Sequence, residues 1–356
     1  MMTRATVLHI DLSVISANVS TLRQRIGAQK FMAVVKADAY GHGAVRVAQH
    51  IETDVDALAV AITEEAIALR EAGVVAPILV LEGPQSEDEL LLMADMALWP
   101  TLHHAEQLAW CGQHASLLSA AWLKVDTGMH RLGFSADALP QAISALQATG
   151  ITDITLMSHL ATAEYPEAEL TRLQQGVWHE QLTDWPAAAS LHNSAAARTQ
   201  SEGRSDWARI GYALYGGQIK GLTPDETLRP AMRFTTSVLT LRDVKSGESV
   251  GYGGRWIAQR DSRIATLPVG YADGYPWAAV DGTPIGIAHQ TAPLAGQVSM
   301  DMMTVDVTDC AHIELGAPAE LWGAHPTVDQ AAQHCNTIGY ELMTRVTSRV
   351  PRCYHA

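Results

Sequence analysis

Residues 30–51, KFMAVVKADAYGHGAVRVAQHI, decide the architecture. An apolar run, KFMAVVKA, reaches Lys36, passes a tyrosine and two glycines, and gives way to AVRVAQHI, whose apolar residues recur at helical spacing. An apolar strand without alternation is buried on both faces, the habit of parallel sheets covered by helices. The unit repeats. DALAVA precedes TEEAIALREAG, with Glu64 and Glu65 in its first turn and Gly73 as a C-terminal stop. PILVLEG precedes SEDELLLMA, where Ser86 and Glu89 have capping-box spacing. MALWPTL, AAWLKVD, ITLMSHL, AASLHNS and IGYALYG are further strand candidates, about eight in all. This βα repetition, without a GxGxxG fingerprint, predicts an α/β chain with an N-terminal (β/α)8 TIM-like barrel rather than a doubly wound sheet.

After LRPAMRF the texture changes. From Phe234 onward TTSVLTLRDV, KSGESVGYGG, RIATLPVGYADG, GTPIGIA, MMTVDVTD and PAELWG show period-two alternation and frequent turns, the pattern of a mainly β domain. One short helix, TVDQAAQHC with Thr327 as its N-cap, interrupts it. The expected division is residues 1–232 for the barrel and 233–356 for the C-terminal β domain, with the first ten or so residues pairing with the latter.

Composition narrows the function. With 47% hydrophobic and 17% charged residues, the chain can bury a core and is not a disordered tract. A net charge of -14, without a Lys/Arg stripe, disfavours nucleic acid. The N-terminus MMTRATVLHIDL lacks the features of a secretory signal, and no apolar run reaches membrane-spanning length, so a cytoplasmic protein is expected. Cys111, Cys310, Cys335 and Cys353 lie far apart without CxxC spacing, which predicts reduced thiols and no metal site.

In a barrel the carboxyl ends of the strands face the active site, where Lys36 would stand. A lysine there can simply snorkel to water, but a partly desolvated one becomes a usable amine nucleophile. Tyr40 offers a hydroxyl, and Gly41 and Gly43 offer close backbone approach to an anion. Other strand ends are polar too: Lys124, Asp126 and Arg131 in KVDTGMHRLGF, His159 in MSHLATAE, Asn193 and Ser194 in HNSAA, and Arg209 in ARIGYALYGG. Singly, His159 reads as a hydrogen-bonded core histidine, Ser194 as a helix cap and Arg209 as an ion-pair partner. Together, Ser194 and the Arg209–Gly211 turn have the chemistry of a phosphate cradle late in a barrel. There is no GxSxG, HExxH or Walker loop, and His103-His104 lacks ligand-type spacing. A lysine amine beside a phosphate site points to a phosphate-bearing carbonyl cofactor, pyridoxal 5'-phosphate being the economical choice.

At this point the motifs AVVKADAYGHG, LKVDTGMHRLGF, SHLATAE, NSAA, WARIGYALYG, VGYGGRW, GYADGYP and VSMDMMTVDVTD, in this order, resemble those of bacterial alanine racemases over nearly the whole chain. The resemblance implies a pyridoxal phosphate enzyme of fold type III acting as a homodimer with shared active sites. Lys36 would be the Schiff-base lysine and the base on the D-alanine face. Tyr271, from the partner's β domain, would be the base on the L-alanine face. One base per face lets a proton leave one side of Cα and another arrive on the other. By the same resemblance Tyr40, Ser194, Gly211 and Tyr212 hold the phosphate, and Asn193 belongs to the cofactor site. Arg209 contacts the pyridine nitrogen, and His159 and Arg209 support the tyrosine. Arg131 meets the cofactor's phenolic oxygen and the substrate carboxylate, and Met300 meets that carboxylate through its backbone. Lys124 matches a position carbamylated in some relatives.

Three residues depart from the family pattern. Asp38 stands where Asn is commoner, Trp277 where Arg is frequent, and Ser348 where some relatives place a tyrosine. The alternatives are a racemase of another or broader range, such as serine, a decarboxylase of the same fold type, and a non-catalytic barrel that binds pyridoxal phosphate. Arg209 and the modest length speak against the decarboxylase, and a β domain bearing Tyr271 against the binding protein. The sequence leaves open whether D-alanine serves wall-precursor supply or alanine is being catabolised.

Overall fold

A computed structural model describes residues 4–356. Eight strands, β2 (Lys30–Val34), β3 (Ala57–Val60), β4 (Ile78–Val80), β5 (Leu98–Leu102), β6 (Ala121–Lys124), β7 (Ile154–Met157), β8 (Ala189–Ser190) and β9 (Trp207–Ile210), form one sheet. Its order is β8-β7-β6-β5-β4-β3-β2-β9, and every neighbouring pair is parallel. The ring closes between β8 and β9 through single bonds, Asp206 N–H to Ala189 O at 2.7 Å and Arg209 N–H to His192 O at 2.9 Å. A TIM-like barrel therefore follows from the alternation. Trp99, Trp122 and Trp207 meet inside it with ring centroids 5.6–6.1 Å apart. These rings come from early positions on β5, β6 and β9, so they fill the end opposite the strand termini that carry chemistry.

One strand lies earlier than the sequence suggests. IGYALYG is not extended: β9 ends at Ile210, and Tyr212–Tyr215 is a 3-10 turn stopped by Gly216 at φ 78°. The N–H groups of Gly211 and Ala213 turn to the Ser194 hydroxyl at 3.0 and 3.4 Å instead of joining a ladder.

The first strand, β1 (Val7–Asp11), belongs to another sheet. It pairs antiparallel with β10 (Met232–Ser237) and parallel with β19 (Arg352–His355). With β15 (Pro284–Ile287), β16 (Gln290–Pro293) and β18 (Pro318–Trp322), these form a six-stranded sheet ordered β16-β15-β18-β10-β1-β19. A second sheet joins β11 (Thr240–Val244), β14 (Ser262–Leu267) and β17 (Met303–Asp306), and β12 (Ser249–Val250) pairs with β13 (Trp256–Ile257). The apparent single strand TTSVLTLRDV is thus two strands in two sheets. Val238 N–H bonds to Ala317 O beside β18, whereas Leu239 N–H bonds to Thr266 O in β14, and the chain crosses between sheets there.

The helix predicted at TVDQAAQHC spans Val328–His334 with Thr327 as its N-cap. A second helix, Gly339–Arg345, follows it, where one helix was expected. Between the two layers, the Asp329 carboxylate accepts the Tyr212 hydroxyl at 2.6 Å and the Gln218 N–H at 2.9 Å. No helix among the described residues is long and apolar enough to cross a membrane.

Trp122 is 1% exposed within the tryptophan cluster. Trp122→Ala is expected to lower the unfolding free energy by about 3–5 kcal/mol, read by urea denaturation, because the cavity cannot collapse between strands.

Candidate active site

Lys36 stands two residues beyond β2, at the carboxyl end of the barrel. Behind it Ala37, Asp38, Ala39 and Tyr40 all have φ between 52° and 54°, a left-handed turn built from L-residues. Such a conformation costs about 1–2 kcal/mol per residue, so external contacts must hold it. Glu65 is one: its Oε1 accepts the Ala37 N–H at 2.6 Å and its Oε2 the Ala61 N–H at 2.8 Å. The glycines serve a different purpose from the expected anion approach. A Cβ on Gly41 would strike the carbonyl of Met343, and one on Gly43 the Tyr354 hydroxyl, so the β domain occupies the space both leave.

Four cationic side chains gather at this mouth: Lys36, Lys124 at the end of β6, Arg131 in the following loop and Arg209 on β9. The loop is shaped by Asp126, whose Oδ1 accepts the N–H groups of Gly128 and His130 at 2.9 and 3.0 Å. Burial first, then Arg131, holds the Lys36 amine below its ordinary value, with Glu65 and Glu82 opposing. Lys124 is brought down to about 7 by burial and by Arg209, Arg131 and Lys36. Arg209 is lowered to about 10 by burial and stays protonated at neutral pH. Its Nη1 donates to the Ser190 hydroxyl at 2.5 Å and its Nη2 to Ser158 O at 2.6 Å.

Arg209 Nη2 also lies 3.3 Å from His159 Nδ1. A guanidinium only donates, so His159 Nδ1 accepts and its Nε2 carries the proton. Burial and the surrounding cations keep this imidazole neutral, well below its ordinary value. His159 is therefore a neutral donor, as its expected support of a tyrosine requires.

Beside the cations lies a cradle. Asn193 caps the helix Ser194–Thr199, its Oδ1 accepting the Ala196 N–H at 2.9 Å, and this presents the Ser194 hydroxyl. A Cβ on Gly211 would collide with the Tyr40 hydroxyl, so the Tyr40 phenol, Ser194 and the Gly211–Tyr212 backbone converge. Burial pushes the Tyr40 phenol up to about 12, leaving it a donor. The Tyr212 phenol is committed to Asp329, so this residue has its N–H to offer an anion. Tyr340, from the second helix of the β domain, stacks on Tyr212 with centroids 3.6 Å apart and lies 6.1 Å from Tyr40. Neither Tyr340 nor Glu65 was legible as a site residue, because each stands in an ordinary amphipathic helix. Hydroxyl and N–H donors beside a cluster of cations fit a phosphate-bearing aldehyde.

Tyr271 and Met300 are placed together, away from this cluster. The Tyr271 N–H bonds to Ser299 O at 3.1 Å and the Ala272 N–H to Met300 O at 3.0 Å, at a corner of the β domain. Both side chains are exposed, and no hydrogen bond or ion pair among the described residues links them to Lys36. Also among the described residues, no group of His, Cys, Asp or Glu side chains could hold a metal ion.

Residues 10–219 match the alanine racemase N-terminal domain family, and residues 231–354 match the alanine racemase C-terminal domain family. The chain belongs to the alanine racemase family. Membership makes it an isomerase. It is 41% identical over 358 residues to the alanine racemase of Chromohalobacter salexigens, covering 99% of this chain and 98% of that one. Among solved structures, it superposes with a TM-score of 0.94 on the biosynthetic alanine racemase of Pseudomonas aeruginosa. The two are 42% identical over 99% of this chain and 100% of the other. The alanine racemase of Bartonella henselae, with covalently bound pyridoxal phosphate, gives 0.90 at 29% identity over 99% of both chains.

Lys124 provides a pH test of the cation cluster. Its folded value near 7 lies below the ordinary 10.5, so between them the unfolded chain binds a proton that the folded chain does not. Stability contributed by this site then rises with pH across that window. Lys124→Met is expected to flatten the rise, compared by denaturation at about pH 7 and about pH 9 without phosphate ligands. An identical pH dependence in both proteins would mean that Lys124 titrates as an ordinary lysine.

Proposed function

We propose that the protein interconverts L-alanine and D-alanine with pyridoxal phosphate held at Lys36, as a homodimer whose active sites each draw on both subunits. The observation that carries this reading is the half-buried Lys36 amine, lowered by burial and Arg131, at the mouth of a barrel with an anion cradle beside it. When bound, pyridoxal phosphate acidifies the Cα–H of an amino acid attached to it. Tyr40, Ser194 and the Gly211–Tyr212 backbone would take the phosphate, and Arg209 would face the ring nitrogen. An arginine there keeps its proton and gives none to that nitrogen, which favours plain proton exchange over side reactions.

The protein's own residues then move two protons. Lys36 would serve the D-face of Cα and Tyr271 of the partner subunit the L-face. A phenol has an ordinary value of about 10 and needs its anion stabilised to act near neutral pH. His159 Nε2–H, held in that tautomer by Arg209, is the donor suited to this. Arg131 and the backbone at Met300 would orient the substrate carboxylate. The dimer is supported by the exposure of Tyr271, Trp277, Met300 and Met302, at 38%, 59%, 53% and 45%, on the domain that does not carry Lys36. Gln297 knits part of this corner, donating to Trp277 O at 2.6 Å and accepting from Arg255 at 2.8 Å. The net charge of -14 suits a small-molecule substrate rather than nucleic acid.

The deciding experiment incubates the protein and pyridoxal phosphate with L-alanine in D2O, following Cα deuteration and D-alanine together. Both are expected; exchange without inversion would mean that the base on the L-face alone removes and returns the proton, and would remove Lys36 as the base on the D-face. Tyr271→Phe should retain cofactor and lose about 10²- to 10⁴-fold in L-alanine turnover. Lys36→Ala should show no cofactor attachment after borohydride reduction. Mixing the two inactive variants as subunits should restore about a quarter of wild-type activity, since half the dimers regain one complete site. No recovery on mixing would place both bases in one subunit.

A further inference from the structure

The left-handed turn behind Lys36 has no second instance: elsewhere among the described residues, at most two non-glycine residues of positive φ adjoin. Its internal bonds run from Ala39 N–H to Val35 O at 2.8 Å, Gly41 N–H to Ala37 O at 3.0 Å and Gly43 N–H to Asp38 O at 2.9 Å. These bonds do not remove the crowding between Cβ and carbonyl that disfavours the conformation. Glu65 holds the opening end of the turn, from the barrel. The closing end is held from the other domain.

There Arg352, on β19, donates from Nε to Gly41 O at 2.9 Å and from Nη2 to Val346 O at 3.4 Å. The same Nη2 lies 3.6 Å from Asp38 Oδ2, while Asp38 Oδ1 accepts the Ala44 N–H at 2.8 Å. Asp38 thus joins the turn, the helix after it and the guanidinium. Alongside, the Met343 carbonyl and the Tyr354 hydroxyl pack against Gly41 and Gly43 so closely that no Cβ fits. A planar guanidinium can grip a carbonyl and a carboxylate in fixed directions, which a flexible ammonium cannot.

We propose that Arg352, paired with Asp38, is a positioning residue for Lys36. From the β domain of the same subunit it locks the closing end of the left-handed turn, and so fixes where the lysine amine and the Tyr40 hydroxyl, on either end of that turn, are delivered. The functional half of this rests on Lys36 being the cofactor-bearing lysine. The conformational half does not. A small displacement of a reacting group costs rate more than substrate binding, so the expected signature is a loss in kcat with KM little changed.

The test uses Arg352→Ala, Arg352→Lys, Asp38→Asn and the double variant Arg352→Ala with Asp38→Asn. In the cofactor-free proteins, hydrogen exchange at the amides of Ala39, Gly41 and Gly43 should quicken, while Leu58 and Leu156 in the barrel strands stay protected. With pyridoxal phosphate and alanine, Arg352→Ala should lose about 10- to 100-fold in kcat at near-normal KM. Arg352→Lys should recover only part of this. Asp38→Asn, which keeps the side-chain volume, should show the same changes in smaller degree, and it carries the test if Arg352→Ala does not fold. The double variant should be no worse than Arg352→Ala alone, since the two act as one pair. Unchanged exchange at those three amides in the folded variants would overturn the proposal, as would kcat losses that add in the double variant. Borohydride reduction separates the two readings. If it leaves wild-type Lys36 unmodified, the lysine assignment fails, and with it the functional role, whatever exchange shows.

Discussion

Mutual repulsion among Lys36, Lys124, Arg131 and Arg209 is the condition on which the rest of the site depends. Four cations at one barrel mouth are tolerable only if some are discharged, some are fed by carbonyls and hydroxyls, and an anion is drawn in. The first two responses are visible, and the donors that would serve the third are in place. Lys124 is held near 7, Arg209 is bound to Ser158 O and the Ser190 hydroxyl, and the cradle at Tyr40, Ser194 and Gly211 faces inward. His159 stays neutral through its burial first and these cations second, and its tautomer is set by a neighbour that can only donate. Burial and charge placement at one end of the barrel therefore together set the protonation states with which any chemistry there begins.

The tryptophan cluster at the other end gives this arrangement a rigid floor. Rings from β5, β6 and β9 touch across the interior, so the strands whose ends carry Lys124 and Arg209 are tied to each other. Packing at one end and polarity at the other is the division of labour that barrels permit, since stability and chemistry are drawn from opposite strand termini.

Much of this was legible in the sequence. Apolar runs buried on both faces announced the barrel strands, AVRVAQHI corresponds to the helix Ala44–Ile51, and Thr327 caps the helix it was expected to cap. Lys36 and Arg209, which snorkelling and an ion pair would explain singly, stood out because polar residues recur at several strand ends together. Three features were not readable. IGYALYG has strand-like composition, yet the Ser194 hydroxyl takes its N–H groups, a competition decided by a residue distant in sequence. TTSVLTLRDV alternates regularly, and only the second sheet reveals its break at Leu239. The left-handed turn is invisible because Ala37, Asp38 and Ala39 have no local preference for it; tertiary contacts with Glu65, Met343 and Arg352 impose it.

Those contacts have a bearing on how the protein is made. Lys36 is synthesised early, but Gly41 and the Arg352 that grips it are 311 residues apart. β1, near the start, likewise waits for β19 to become its parallel neighbour. A nascent chain can therefore close the barrel ladder, with Glu65 at the opening end of the lysine turn, well before the closing end has Arg352 to rest on. The last feature to mature is the closing end of the turn that carries Lys36, so a half-made chain emerging from the ribosome has a finished scaffold and a half-set lysine turn.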